Sequence, residues 1–84
     1  MCRNITILRG LQPPATDEEI EAAARQYVRK VSGVQAVSAA NEEAFERAVR
    51  RVTAATTDLL ASLPPRKQVP ATVPPLRRIR TRSA

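Results

Sequence analysis

The chain has no histidine and no tryptophan among its 84 residues, only one cysteine (Cys2), two glycines (Gly10, Gly33) and two aromatics (Tyr27, Phe45). Each shortage removes a class of chemistry. Without His it lacks the side chain most used for proton transfer near neutral pH, and the commonest metal ligand with it. A conventional catalytic triad and a Cys/His zinc cluster are excluded, and two separated glycines make no phosphate-cradling loop. No metal and no cofactor is expected, and no small-molecule substrate is evident. A single Cys forms no internal disulfide, which fits a reducing compartment and makes the cytoplasm the expected location. The longest apolar run near the start, Ile5–Leu8, is broken by Thr6 and stops at Arg9. It falls far short of the roughly 20 residues of a membrane span, so no span is expected.

Acid is missing from the last quarter. Residues 64–84 contain Arg66, Lys67, Arg77, Arg78, Arg80 and Arg82 and no Asp or Glu, whereas bases and acids balance in residues 1–63, so the net charge of +6 belongs to the tail. The same stretch holds Pro64, Pro65, Pro70, Pro74 and Pro75, five of the seven prolines. High charge with few large apolar residues predicts a disordered, polyproline-like tail. Prolines five and four residues apart (65 to 70, 70 to 74) do not match the three-residue spacing that SH3-type grooves read. Six cations on phosphates would give a log–log salt slope of about −5 on duplex DNA. No aromatic is present there to stack on bases, so RNA, DNA or a ribosome would be bound without sequence preference. The plainer role for such a tail is solubility.

The neutral part reads as helix. Ile20, Ala23, Ala24, Tyr27, Val28 and Val31 recur at spacings of three and four after an acidic turn, Asp17–Glu18–Glu19. Thr16 followed by Glu19 is a capping box, and Gly33 suits a left-handed C-terminal stop behind Arg29 and Lys30. A helix over 17–32 follows. Asn41 is a second N-cap candidate before Phe45, Ala48, Val49, Val52, Thr56, Leu59, Leu60 and Leu63, which predicts a helix over 42–63 up to Pro64–Pro65. On its outer face Glu43–Arg47 and Glu46–Arg50 stand at the favourable i, i+4 order. Ile5, Leu8 and Leu11 after Asn4 suit a short helix near 4–9; the β-branched Ile5, Thr6 and Ile7 would suit a strand, but no other segment would pair with it.

Three stretches carry a resemblance: Met1–Cys2–Arg3–Asn4–Ile5, Pro13–Pro14–Ala15–Thr16–Asp17–Glu18–Glu19–Ile20, and Gln26–Tyr27–Val28–Arg29–Lys30–Val31–Ser32–Gly33. With Ala40–Asn41, Ala44–Phe45, Ala48–Val49 and Leu59–Leu60, they resemble the short bacterial proteins of the domain of unknown function 2277 family over residues 1–63, leaving the tail unmatched. The resemblance implies a small bacterial cytosolic protein and brings no activity, substrate or catalytic residue with it. Arg9–Gly10–Leu11 departs from the more aromatic stretch the resemblance would place before the paired prolines.

The expected architecture is all-α: a short N-terminal helix on an antiparallel two-helix hairpin (residues 1–63), possible pairing of two copies into a four-helix arrangement, and a disordered basic tail (residues 64–84). No catalytic residue is assigned. Cys2 is the one reactive candidate, and with no second Cys or evident base it reads better as a small apolar residue. The acids at 17–21 read as helix capping and not as a metal cluster, and Tyr27 and Phe45 as core anchors. Two functions remain open. In the first, the tail cations Arg66, Lys67, Arg77, Arg78, Arg80 and Arg82 bind nucleic acid or the ribosome for a non-enzymatic accessory protein. In the second, an apolar hairpin face of Tyr27, Val31, Phe45, Val49 and Leu60 forms a homodimer or docks another protein.

Overall fold

The computed structural model describes residues 5–64, 70 and 72–77. Two long helices dominate, α1 (Asp17–Ser32) and α2 (Glu42–Ser62), and no strand occurs among the described residues.

Helix α1 begins and ends as its sequence directs. The Thr16 hydroxyl accepts from the Glu19 N–H at 3.1 Å, and the Glu19 carboxylate accepts from the Thr16 N–H at 2.8 Å, which completes the capping box. Gly33 has φ 74° and donates its N–H to the Arg29 carbonyl at 2.9 Å. A Cβ on Gly33 would meet nothing within 4 Å, so the glycine serves the left-handed conformation and not a close approach.

Helix α2 starts differently. Asn41 stands at the N-cap position, but its side chain makes no cap hydrogen bond and instead accepts from the Ser38 N–H at 2.9 Å, closing the turn that leads into the helix. The helix stops at Ser62, one residue before the expected end. Leu63 is extended because the ring of the following Pro64 crowds the helical conformation of its neighbour.

The helices pack as an antiparallel hairpin around two apolar clusters. Ala24 and Val28 of α1 meet Phe45 and Val49 of α2, with Val34, Val37, Ala48 and Val52 around them. Toward the open end of the hairpin, Ile20 meets Leu8 and Leu11, and Leu60 packs against them. Small aliphatic side chains make this core thin, and polar links reinforce it. Arg25 donates to both carboxylate oxygens of Glu46 at 2.7 and 2.9 Å, and its guanidinium lies 5.9 Å from the Phe45 ring centroid. Glu46 thus turns across to α1, while Glu43 and Arg47 come only to 4.0 Å.

The expected helix near 4–9 does not form over the described residues 5–9. The chain runs without regular structure to a turn at Arg9–Gly10, where Gly10 has φ 86°. The β-branched Ile5, Thr6 and Ile7 disfavour a helical turn, and the turn at Gly10 lets both Leu8 and Leu11 enter the core. Arg9 then donates to the Pro64 carbonyl at 3.1 and 2.7 Å, tying this segment to the end of α2.

The described part of the C-terminal stretch also departs from the expected disorder. Pro70 and Pro74 are buried, residues 75–77 form a helical turn with the Arg77 N–H donating to the Pro74 carbonyl at 3.0 Å, and Arg77 reaches α1. Prolines have little backbone freedom to lose on docking, so a Pro-rich strap is ordered at low entropic cost. The other tail residues expected to be disordered (65–69, 71 and 78–84) lie outside the described residues, as do Asn4 and Cys2.

Candidate functional site

The first turn of α1 positions the most unusual polar group of the molecule. Glu19 is on the inward face because Ile20 and Ala23 beside it turn toward Leu8, and its side chain keeps only 1% of its exposure. Two segments far apart in the chain meet on it. Arg77 donates from Nε to Oε2 at 3.0 Å and from Nη2 to Oε1 at 2.8 Å, and Nη2 also lies 3.4 Å from the Pro14 carbonyl. Burial by itself pushes the Glu19 carboxyl up. The Thr16 N–H and the Arg77 guanidinium, helped by the Thr16 hydroxyl, outweigh it and hold the carboxyl below its ordinary value. The result is a charge-neutral, bidentate clasp between residues 19 and 77.

The clasp closes one side of a cavity of about 250 Å³ between α1, the N-terminal segment and the strap, lined by Leu8, Ala22, Ala23 and Pro74–Leu76 together with Thr6, Glu19 and Gln26. On the other side of the Thr6–Leu8 segment an apolar groove runs between α1 and α2, bounded by Ile5, Ala23, Tyr27, Val52, Thr56 and Leu60. No group of three or more metal-ligating side chains occurs among the described residues. No helix among them is long and apolar enough to cross a membrane.

The residues singled out from the sequence are dispersed by the fold. Phe45 and Val49 are inside the hairpin and offer nothing to a partner face. Tyr27, expected as a core anchor, is 49% exposed, and Val31 one turn on is 65% exposed, because the buried stripe of α1 is Ile20, Ala24 and Val28. Leu60 is intermediate, shared between the groove and the core. Of the tail cations only Arg77 is described, and it is engaged by Glu19; Arg66, Lys67, Arg78, Arg80 and Arg82 lie outside the described residues. Sequence reasoning missed the inward turn of Glu19 and the docking of the strap. One signal was present: the apolar Pro74–Pro75–Leu76 ahead of Arg77 is more than a solubilising tail needs.

No curated protein and no solved structure matches the chain. A family model described as "Uncharacterized conserved protein (DUF2277)" matches residues 1–83, which extends the likeness read over 1–63 through the strap and all six tail cations. The clasp between Glu19 and Arg77 therefore lies wholly within the matched region, and the chain belongs to the DUF2277 family of uncharacterized conserved proteins.

Proposed function

We propose that this chain is a non-enzymatic interaction module that pairs with a second copy of itself through the groove around Tyr27. The observation that supports this is the half-exposed Tyr27 standing in an apolar groove with Ile5, Val52 and Leu60, with exposed Val31 one turn along. Tyr is well suited to an interface, since its ring offers a large apolar area and its hydroxyl a polar end. Residues 1–63 have balanced charge, so two copies meeting on this face bring no net repulsion from their bodies. A core of small aliphatic residues leaves the single chain marginal, and a self-complementary two-fold contact adds the apolar burial it lacks.

Sedimentation equilibrium of the full chain and of Tyr27→Glu tests the proposal. A dimer at micromolar concentration is expected for the unaltered chain, with dissociation at least tenfold easier for the variant and unchanged helical circular dichroism. An unaltered chain that stays monomeric at every concentration overturns it.

The segregation of charge supports a second reading, in which the tail binds polynucleotides or the ribosome without sequence preference. Arg77 is committed to Glu19, which leaves Arg66, Lys67, Arg78, Arg80 and Arg82 for phosphates and a duplex salt slope of about −4.5. Replacing those five by Gln in the full chain tests it more cleanly than deleting the tail, because the clasp is kept. Under this reading the exchange abolishes nuclease-sensitive recovery of RNA from a lysate; undiminished recovery rejects it.

A further inference from the structure

The segment before Gly10 is a partition with a cavity on one side and a groove on the other. Thr6 and Leu8, with Ala23 of α1, line both the cavity under the strap and the groove around Tyr27. Little of the segment's own backbone holds it there. Over residues 5–8 the one backbone hydrogen bond among the described residues is the Leu8 carbonyl accepting from the Leu11 N–H at 3.4 Å. Leu8 is buried and anchors one end, whereas Ile5 and Ile7 are exposed. Between them the Thr6 hydroxyl oxygen is buried without a partner among the described residues, an unfavourable state that is relieved as soon as the segment moves out into water. A segment fixed by packing and hardly by its backbone belongs to the part of a fold that opens most easily, so its place is decided by what stands on either side.

The strap stands on one of those sides. Pro74, Pro75 and Leu76 face Thr6 and Leu8 across the cavity, and the Arg77 clasp on Glu19 fixes their end to α1. With the strap away, the apolar sides of Leu8, Ala22 and Ala23 that it shelters meet water, and residues 5–8 gain apolar burial by sliding over Ala22 and Ala23, away from Tyr27. The groove then loses Ile5 and Thr6 from its wall. We propose that the docked strap controls self-association: residues 74–77, clasped to Glu19, confine residues 5–8 and so keep the wall that a second copy meets at Tyr27. This rests on the pairing of two copies through that groove and adds what switches the pairing on. Coupling of this kind is reciprocal, so a second copy seated in the groove also holds the partition, and with it the strap, in place.

Sedimentation equilibrium of the full chain and of Arg77→Gln at neutral pH reads one direction of the coupling. Arg77 does not line the groove, so the variant alters the surface that meets a second copy only through the strap. Its dimer dissociation constant should rise at least about fivefold, the low end of usual coupling between sites. Thr16→Ala weakens the cap of α1 and leaves the bonds between Arg77 and Glu19, so it controls for general loss of stability and should change the constant less than about twofold. Amide hydrogen exchange reads the other direction in chains that keep the clasp, and it decides the matter should Arg77→Gln not fold. The Arg77 N–H bonds the Pro74 carbonyl at 3.0 Å and reports strap docking. Its exchange should be at least about fivefold faster in Tyr27→Glu than in the dimeric unaltered chain, and should quicken likewise when the unaltered chain is diluted. An unchanged or tighter dimer in folded Arg77→Gln, or an Arg77 N–H indifferent to Tyr27→Glu and to dilution, overturns the coupling while the Tyr27 reading stands. A full chain that is monomeric at every concentration, or a Tyr27→Glu chain that dimerises undiminished, removes that reading and the coupling with it.

Discussion

Two of the carboxylate–arginine pairs among the described residues link separate segments of the chain, and they differ in almost everything except chemistry. Glu46 and Arg25 join the two helices at their surfaces, with side chains 37% and 29% exposed, whereas Glu19 and Arg77 retain 1% and 16% and join the first helix to a strap 58 residues further along the chain. Water competes for the first pair at all times, so its loss is partly made good by hydration. Glu19 has no such recourse. Geometry alone, with two short hydrogen bonds in each pair, would rank them equal; burial separates them, because an ion in the interior without its partner is far costlier than the pair itself is stabilising.

The largest effect should come from Arg77→Gln, which leaves the Glu19 carboxylate buried without its counter-charge. A loss of about 3 kcal/mol is expected for breaking a buried pair from one side. Thermal circular dichroism would then register a melting point lower by at least ~12 °C, at about 4–8 °C per kcal/mol for a chain of this size. A shift under 3 °C would put the two pairs in one class. The same pair sets an acid limit. The Glu19 carboxyl is held below 4.5 in the folded chain, so as pH falls the unfolded state takes up the proton first. The stabilisation is complete above about 4.5 and is lost as pH drops through the lower folded value, and denaturant midpoints should fall over that window in the unaltered chain. Arg77→Gln should flatten this acid limb.

Thr16→Ala is intermediate, at about 1 kcal/mol, because it removes the hydroxyl that caps α1 while leaving the N–H that bonds Glu19. Asn41→Ala should cost less than Thr16→Ala by the same chemical denaturation, since Asn41 bonds the Ser38 N–H and caps nothing. Smallest of all is Glu46→Gln, whose effect on the melting point should vanish in molar salt, where exposed pairs are screened. An effect of Glu46→Gln that survives high salt would show the surface pair to be more than a surface pair.

What local signals encode was legible before the fold was known. Thr16 with Glu19, the acidic first turn and Gly33 define α1 to the residue, since each acts on backbone groups within four positions of itself. The end of α2 was readable from Pro64 for the same reason. The N-terminal segment was not, because Ile5, Leu8 and Leu11 fit a helical stripe as well as they fit an irregular path that inserts Leu8 and Leu11 into the core, and only the tertiary contact with Ile20 decides between them. Tyr27 was misassigned for a related cause: a stripe of apolar residues at helical spacing is broader than the face that becomes buried, and the larger residue ended on its edge. The clasp was the least legible feature. Glu19 already had a sufficient local explanation as the capping-box acid, and Arg77 stood among a run of cations that charge counting treats alike. Nothing within either residue's neighbourhood distinguishes it, and a partner 58 positions away is invisible to rules of short range.

That separation also orders the protein's birth. Synthesis runs from the N-terminus, and domains fold as their residues become available, so α1 and α2 can meet while the strap is still being made. Until residue 77 is released, Glu19 remains a hydrated carboxylate at the start of a helix and the wall facing Leu8 and Ala23 stands open. Docking of the strap therefore follows the pairing of the two helices, and a nascent chain stalled before Arg77 should be markedly more sensitive to protease than one that includes it.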